Sequence, residues 1–171
     1  MKQITLRNAK DLTQLEDRLH FDNGLPVVVA YCGNGSNDSY ETGLLKQMAG
    51  IKRMCDERWG TFGYNIIWVI QDGSDPQSPD DGRTSGCGAG FAIVVEILEK
   101  GYASYLAVHR LDRITRSCRS FSTLVQDILE PNGVEMLVAS KPAEGPDYIG
   151  RGYGRLARLL PDIGRRRWRD G

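Results

Sequence analysis

The chain has no apolar run near the ~20 residues that a membrane-spanning helix needs, which excludes that class of protein from its expected roles. No two of its four cysteines stand at C-x-x-C spacing. With only two histidines, His20 and His109, they form no zinc-ligand pattern. Neither a metal nor any other cofactor is expected, and Cys32, Cys55, Cys87 and Cys118 read as free thiols. The opening residues, MKQITLRNAKDLTQLEDRLHF, carry charge throughout and lack the apolar core of a signal peptide, so a cytoplasmic location is expected. There is no internal repeat and no net charge, with 22 Lys and Arg balancing 22 Asp and Glu.

That balance hides an asymmetry. Residues 151–171 hold seven Arg against Asp162 and Asp170, leaving 15 positive and 20 negative residues in the first 150. An acidic body with an Arg-rich tail suits an anionic partner such as nucleic acid, although a solvated basic end would look the same. With 171 residues the chain is long enough for one compact domain with its own core.

Four continuous apolar runs read as buried parallel strands: Pro26 to Tyr31, Asn65 to Ile70, Ala103 to Val108 and Val134 to Ala139. Between them lie helical segments. Glu41 to Arg58 carries the stripe Leu44, Leu45, Met48, Ile51 and Met54, and Phe91 to Lys100 and Ser120 to Leu129 follow. This alternation predicts an α/β fold with a mainly parallel sheet of four to five strands and helices on both faces. Residues 1–25 read as an N-terminal amphipathic extension built on Leu12, Leu15 and Leu19. Residues 71–90 form a Gly/Ser/Asp/Pro-rich loop of the length that usually serves function.

The densest chemistry is His109-Arg110-Leu111-Asp112-Arg113-Ile114-Thr115-Arg116-Ser117, which follows the third apolar run directly. Ligand sites of open α/β sheets lie at such strand ends. Arg113 and Arg116, three apart, share a face if a helix begins here, and Asp112 beside them can fix their orientation for a bidentate grip on phosphate. A solvated helix start with Asp112 as N-cap gives the same pattern.

Taken in order, these pieces resemble the catalytic domain of the serine recombinases, the resolvase/invertase family, over about Val27 to Leu160. Leu111-Asp112-Arg113-Ile114-Thr115-Arg116-Ser117 is similar to that family's R-L-D-R-x-x-R-[SD] signature. Weaker matches are Tyr31, Leu44-Leu45-Lys46-Gln47 (L-E-R-Q), Asp72-Gly73-Ser74 (D-x-G-x-S), Gly90-Phe91 (R-P-G-F) and Gly154-Arg155-Leu156 (G-R-L). The resemblance implies a resolvase-like three-layer domain at 26–160 and an Arg-rich tail at 161–171. It also implies DNA cleavage through a phosphoserine, without metal, with arginines stabilising the charge that develops on phosphorus.

Arg113 and Arg116 fall on two of the family's catalytic positions, with Asp112 as organiser. Elsewhere the pattern breaks. Where the family reads Y-x-R-V-S, this chain reads Tyr31-Cys32-Gly33-Asn34-Gly35-Ser36, so glycines occupy the Arg and the nucleophile positions. Gly88 stands at a further Arg position. Three readings follow. The first is a degenerate, catalytically impaired domain that binds DNA through the backbone, or binds a recombinase partner, as a homo- or hetero-oligomer. The second is an active small recombinase that uses Ser36, with Arg83 replacing a missing cation. The third is an accessory interaction module without DNA contact. Removing one oxyanion-type donor costs roughly 10²–10³ in rate, so several losses favour the first reading.

The tail residues Arg165, Arg166, Arg167 and Arg169, with Arg83, are the expected DNA contacts, and Pro161 interrupts any helix continuing from Leu160. Trp168 either stacks on a base or anchors the tail. Trp59 and Trp68 read as core aromatics, His109 as structural, and Asp80-Asp81 as solvated charges. Cys32 reads as an inert buried thiol.

Overall fold

In the computed structural model the described residues are 1–33, 40–71, 88–111, 114 and 122–140, all within one compact unit, Met1–Ser140. Its centre is a five-stranded sheet in the order β1-β3-β2-β4-β5, built from β1 (Gln3–Leu6), β2 (Val27–Gly33), β3 (Asn65–Gln71), β4 (Tyr105–Val108) and β5 (Glu135–Val138). Every pairing is parallel. Residues Val28 to Cys32 and Ile66 to Ile70 are buried on both faces, which is why these strands read as unbroken apolar runs rather than alternating ones.

Helices cover both faces. Helix α2 (Tyr40–Trp59) lies on the face presented by Val28, Ala30, Cys32, Ile66, Trp68, Ile70, Ala107 and Leu137, and contributes Ile51 and Cys55 to that core. The opposite face carries α3 (Gly88–Glu99), whose Phe91 ring meets Tyr31 edge-on at a centroid distance of 5.4 Å. Helix α1 (Ala9–Leu15) and a π-helical segment (Leu124–Leu129) pack beside α3. Nearly all of α3's apolar residues are buried, as expected for a helix enclosed between a sheet and other helices.

Three sequence expectations need correction. Leu45 does not join the core stripe. It is 65% exposed, because one residue along a helix turns ~100° and the buried line runs through Leu44, Met48, Ile51 and Cys55. Ser120 to Leu129 is π-helical over Leu124–Leu129, with the Glu130 N–H donating to the Val125 carbonyl five residues back at 2.9 Å. Residues 1–25 are part of the fold rather than an extension. Gln3–Leu6 forms the edge strand β1 against β3, and Leu6, Leu12 and Leu19 are fully buried.

Two polar clusters hold this amino-terminal part in place. The buried Asn65 exchanges hydrogen bonds with Asn23: its Nδ2 donates to Asn23 Oδ1 at 2.7 Å and its Oδ1 accepts from Asn23 Nδ2 at 3.1 Å. Asn65 Oδ1 also accepts the Lys2 backbone N–H at 3.1 Å, tying the start of β1 to the start of β3. At the far end of α3, Tyr102 and Lys100 both donate to Glu16 Oε1, at 2.6 and 2.9 Å, and hold its carboxyl below the usual value. The second cluster is exposed and adds little. In the first, Asn65 is buried while Asn23 and Lys2 are exposed, so deleting the Asn65 amide removes all three hydrogen bonds at once. Asn65→Ala is expected to lower the urea midpoint by the equivalent of about 1–3 kcal/mol with an unchanged m-value, measured by equilibrium denaturation.

Candidate functional site

A parallel sheet collects all its strand ends at one edge. Here the carboxyl edge is formed by Leu6, Gly33, Gln71, Val108 and Val138. The chain leaves β2 for its neighbour β3 on one side, then crosses back over β2 to reach β4 on the other. The direction of winding reverses between β2 and β4, and the crevice beyond those two carboxyl ends is where open α/β sheets hold ligands.

The sequence-predicted site residues fall outside the described residues. Ser36 belongs to 34–39, after β2. Asp112, Arg113 and Arg116 belong to the stretch after β4, Arg83 to 72–87 after β3, and Arg165, Arg166, Arg167 and Arg169 to the tail. What surrounds them is described. Leu111 and Ile114 are buried, at 5% and 1% exposure, and the Ile114 N–H donates to the Leu111 carbonyl at 3.1 Å. Leu111 and Ile114, which flank Asp112-Arg113 in the sequence, are thus both core residues. His109 lies under α2 where that helix has Gly50, since a Cβ there would come within 2.7 Å of His109 Nδ1. The His109 carbonyl accepts both the Ser140 N–H at 2.9 Å and the Ser140 hydroxyl at 2.8 Å.

At the end of β2 a neutral hydrogen-bond pair takes the centre of the edge. The Tyr31 hydroxyl donates to Gln71 Oε1 at 2.6 Å. The strand register explains the pairing, since Tyr31 faces Val69 and Gly33 faces Gln71, which puts both side chains on the α3 face. Gly90 packs against Gln71, where a Cβ would meet the Gln71 Cβ at 3.0 Å. Gly33 is equally constrained, because a Cβ there would stand 3.0 Å from the Tyr31 hydroxyl and 3.3 Å from its Cζ. On the α2 face, Gln47 Nε2 donates to the Gly33 carbonyl at 2.9 Å. Gln71 escaped the sequence reading. Its signal was a polar residue ending an apolar strand, at a register that pairs it diagonally with Tyr31.

Among the described residues no group of three or more His, Cys, Asp or Glu could hold a metal ion. None of their helices is long and apolar enough to cross a membrane. Cys32 is fully buried beside this edge, and burial pushes its thiol up to about 12, so it is not a poised nucleophile. Cys55, in the same core cluster, is pushed up to about 11, chiefly by burial.

No family model matches the chain and no curated protein matches it by sequence. Solved structures do match. The N-terminal catalytic domain of TP901-1 integrase aligns with a TM-score of 0.50 at 16% identity, covering 80% of this chain and 93% of that one. The fold is serine recombinase-like. Two further structures align over 80% of this chain. They are the C-terminal catalytic domain of ISC1926 TnpA, an IS607-like serine recombinase (TM-score 0.49, 15% identity, 79% of that chain), and the first ORF of transposon ISC1904 from Sulfolobus solfataricus P2 (TM-score 0.40, 14% identity, 92% of that chain).

The buried thiols of this recombinase-like unit make a pH dependence testable. Folded Cys32 and Cys55 stay protonated where the unfolded chain, with an ordinary value of 9.0, has begun to release protons. Above that value the unfolded state binds fewer protons, so stability is full below pH 9 and falls as pH rises toward about 12. In a Cys87→Ser, Cys118→Ser background, no thiol is expected to react with an aromatic disulfide reagent at pH 8 until urea unfolds the protein. Rapid native labelling would contradict the burial.

Proposed function

We propose that this chain is a recombinase-like domain that binds duplex DNA through the sugar-phosphate backbone and cleaves it poorly. The observation supporting it is topological. Of the segments that leave the carboxyl edge, the two at the switch point between β2 and β4 are the ones that carry Ser36 and the Asp112, Arg113, Arg116 corner. The burial of Leu111 and Ile114, on either side of Asp112-Arg113 in the sequence, is consistent with this reading.

On this reading Arg113 and Arg116 grip a phosphodiester, Asp112 holds the guanidiniums, and Arg83 with Arg165, Arg166, Arg167 and Arg169 adds contacts along the backbone. Such contacts give affinity without sequence preference. Cleavage would have the Ser36 hydroxyl attack phosphorus while the 3′ oxygen leaves, with charge building on the non-bridging oxygens. That step wants cations, and Gly33 and Gly88 stand where the family resemblance expects two of them. The Tyr31–Gln71 pair crowds the Gly33 position, which supports the impaired reading. A domain that binds but barely cuts suits a homo-oligomer, or a mixed oligomer in which a competent recombinase supplies the chemistry. The cytoplasm, where DNA is reached directly, is the proposed setting.

A gel shift on duplex DNA is expected to weaken steeply with salt and to weaken again in Arg113→Ala. Binding that ignores both would leave the interaction-module reading. On nicked suicide duplexes, covalent adduct is expected to be faint or absent. A strong adduct abolished by Ser36→Ala would sink the impaired reading in favour of an active enzyme.

Restoring one cation tests the steric argument. Gly33→Arg is expected to lower the melting temperature by displacing Tyr31 from Gln71, without raising adduct yield. A gain in adduct at unchanged stability would show that the position was merely vacated.

A further inference from the structure

Helix α2 turns one side to the core and leaves the other exposed. Leu45, Ala49, Lys52, Arg53, Asp56 and Glu57 fall on that outer side as a single stripe, at the i, i+4, i+7/8 and i+11/12 spacing. The last five line a shallow groove. Among the described residues three large apolar side chains are exposed, and two of them bracket this stripe. Leu45 is 65% exposed near the start of α2, and Phe62 is 82% exposed three residues past its end. Leu45 also stands where the family motif it resembles has Glu. The Phe62 N–H donates to the Trp59 carbonyl at 2.8 Å, which ties the turn carrying its ring to the end of the helix.

The charges along the stripe are ordered. A basic pair, Lys52 and Arg53, precedes an acidic pair, Asp56 and Glu57, by one helical turn. Within the helix, Lys52 Nζ meets Asp56 Oδ2 at 2.6 Å and Arg53 Nε meets Glu57 Oε1 at 3.9 Å. The second pair is long and its side chains are 76% and 73% exposed, so it adds little and can exchange partners at small cost. The four charges cancel. DNA would be repelled by as many of them as attract it, and so would a basic peptide. A surface with the same order reversed matches all four, and this helix turned through a two-fold rotation presents that surface.

We infer that the outer side of α2 is an interface with a second copy of this chain, the two helices lying antiparallel about a two-fold axis midway between residues 53 and 57. Arg53 of each copy then faces Glu57 of the other. At about 1.5 Å per residue, Leu45 lies about 15 Å from that axis and the turn carrying Phe62 about 10 Å from it. The difference is about one helical turn, within reach of these two side chains, so each Phe62 covers the Leu45 of the other copy. Both apolar groups leave water, and every charge at the centre meets its opposite. The inference rests on the homo-oligomer part of the proposed function and not on DNA binding, since the stripe lies over a face of the sheet rather than at its carboxyl edge. An interface one helix wide is at the small end of specific interfaces, so dissociation in the micromolar range is expected.

Sedimentation velocity on the full chain, from about 1 to about 300 μM, tests this, with melting temperatures to show that each variant folds. Wild type is expected to dimerise reversibly. Arg53→Glu and Glu57→Arg each set like charges against one another across the axis, and each is expected to raise the dissociation constant about tenfold or more. The two single variants mixed in equal amounts restore opposite charges at both contacts, and so does the double variant. Both are expected to dimerise like wild type. Phe62→Ser is expected to weaken the dimer at an unchanged melting temperature. A dimer that ignores the single reversals, or that the mixture does not restore, would overturn the inference and leave the homo-oligomer reading standing. A chain that stays monomeric at every concentration would overturn both.

Discussion

Everything in this unit is arranged around the enclosure of β2. That strand is paired on both edges, with β3 and β4, and covered on both faces, by α2 and α3. A strand enclosed on four sides admits no polar side chain along its middle, which is why its core is Val28, Val29, Ala30, Tyr31 and Cys32. Its one polar atom of consequence, the Tyr31 hydroxyl, appears where the enclosure opens, and it is immediately taken by Gln71. The same enclosure makes β2 the strand on which the winding direction turns. A strand enclosed on four sides thus delivers the backbone to the switch point of the sheet.

How much of this could be read from residues alone depended on whether burial left a pattern. Strands β2 to β4 were legible because enclosure on both faces writes an unbroken apolar run, and the half-buried edge strand β5 because Met136 to Val138 are apolar. Strand β1 was not. Four residues with alternate exposure, Gln3–Leu6, sit between charges and look like the start of an amphipathic helix. What makes them a strand is the docking of β1 on β3, helped by the Lys2–Asn65 contact, a long-range pairing that leaves no local trace. The π-helical turn was equally hidden, since Leu124, Val125, Ile128 and Leu129 present one apolar face in either helical form. At the candidate site, the motif residues were visible by type and order. The contacts that frame them depend on cross-strand register, which sequence does not print.

Glycine illustrates the difference. On sequence, Gly33 is an absence, a missing arginine. In the fold it is also a fit, with the Tyr31 ring occupying the volume that a side chain at 33 would need. Gly90 plays the corresponding part for Gln71, and Gly50 for His109. Three close approaches, each of which a Cβ would tighten, lie near this edge. An arginine deleted from an otherwise unchanged site would leave a void into which it could be returned. Here Tyr31 lies close enough that a side chain at 33 would require its ring to shift.

The same packing sets the electrostatic character of the edge. Tyr31 and Gln71 satisfy one another as neutral groups, and Cys32 beside them is held as the thiol. On the proposed reading, positive charge comes from Arg83 after β3, from the segment after β4 and from the tail. Neutral partners can position a phosphodiester, because hydrogen bonds fix orientation whether or not charge is present. They supply much less of the field that stabilises charge as it builds on phosphorus, which is where charged donors gain most of their catalytic effect. The polar side chains described next to the end of β2, Tyr31, Gln71 and Gln47, are thus uncharged, and packing around β2 sets their partners.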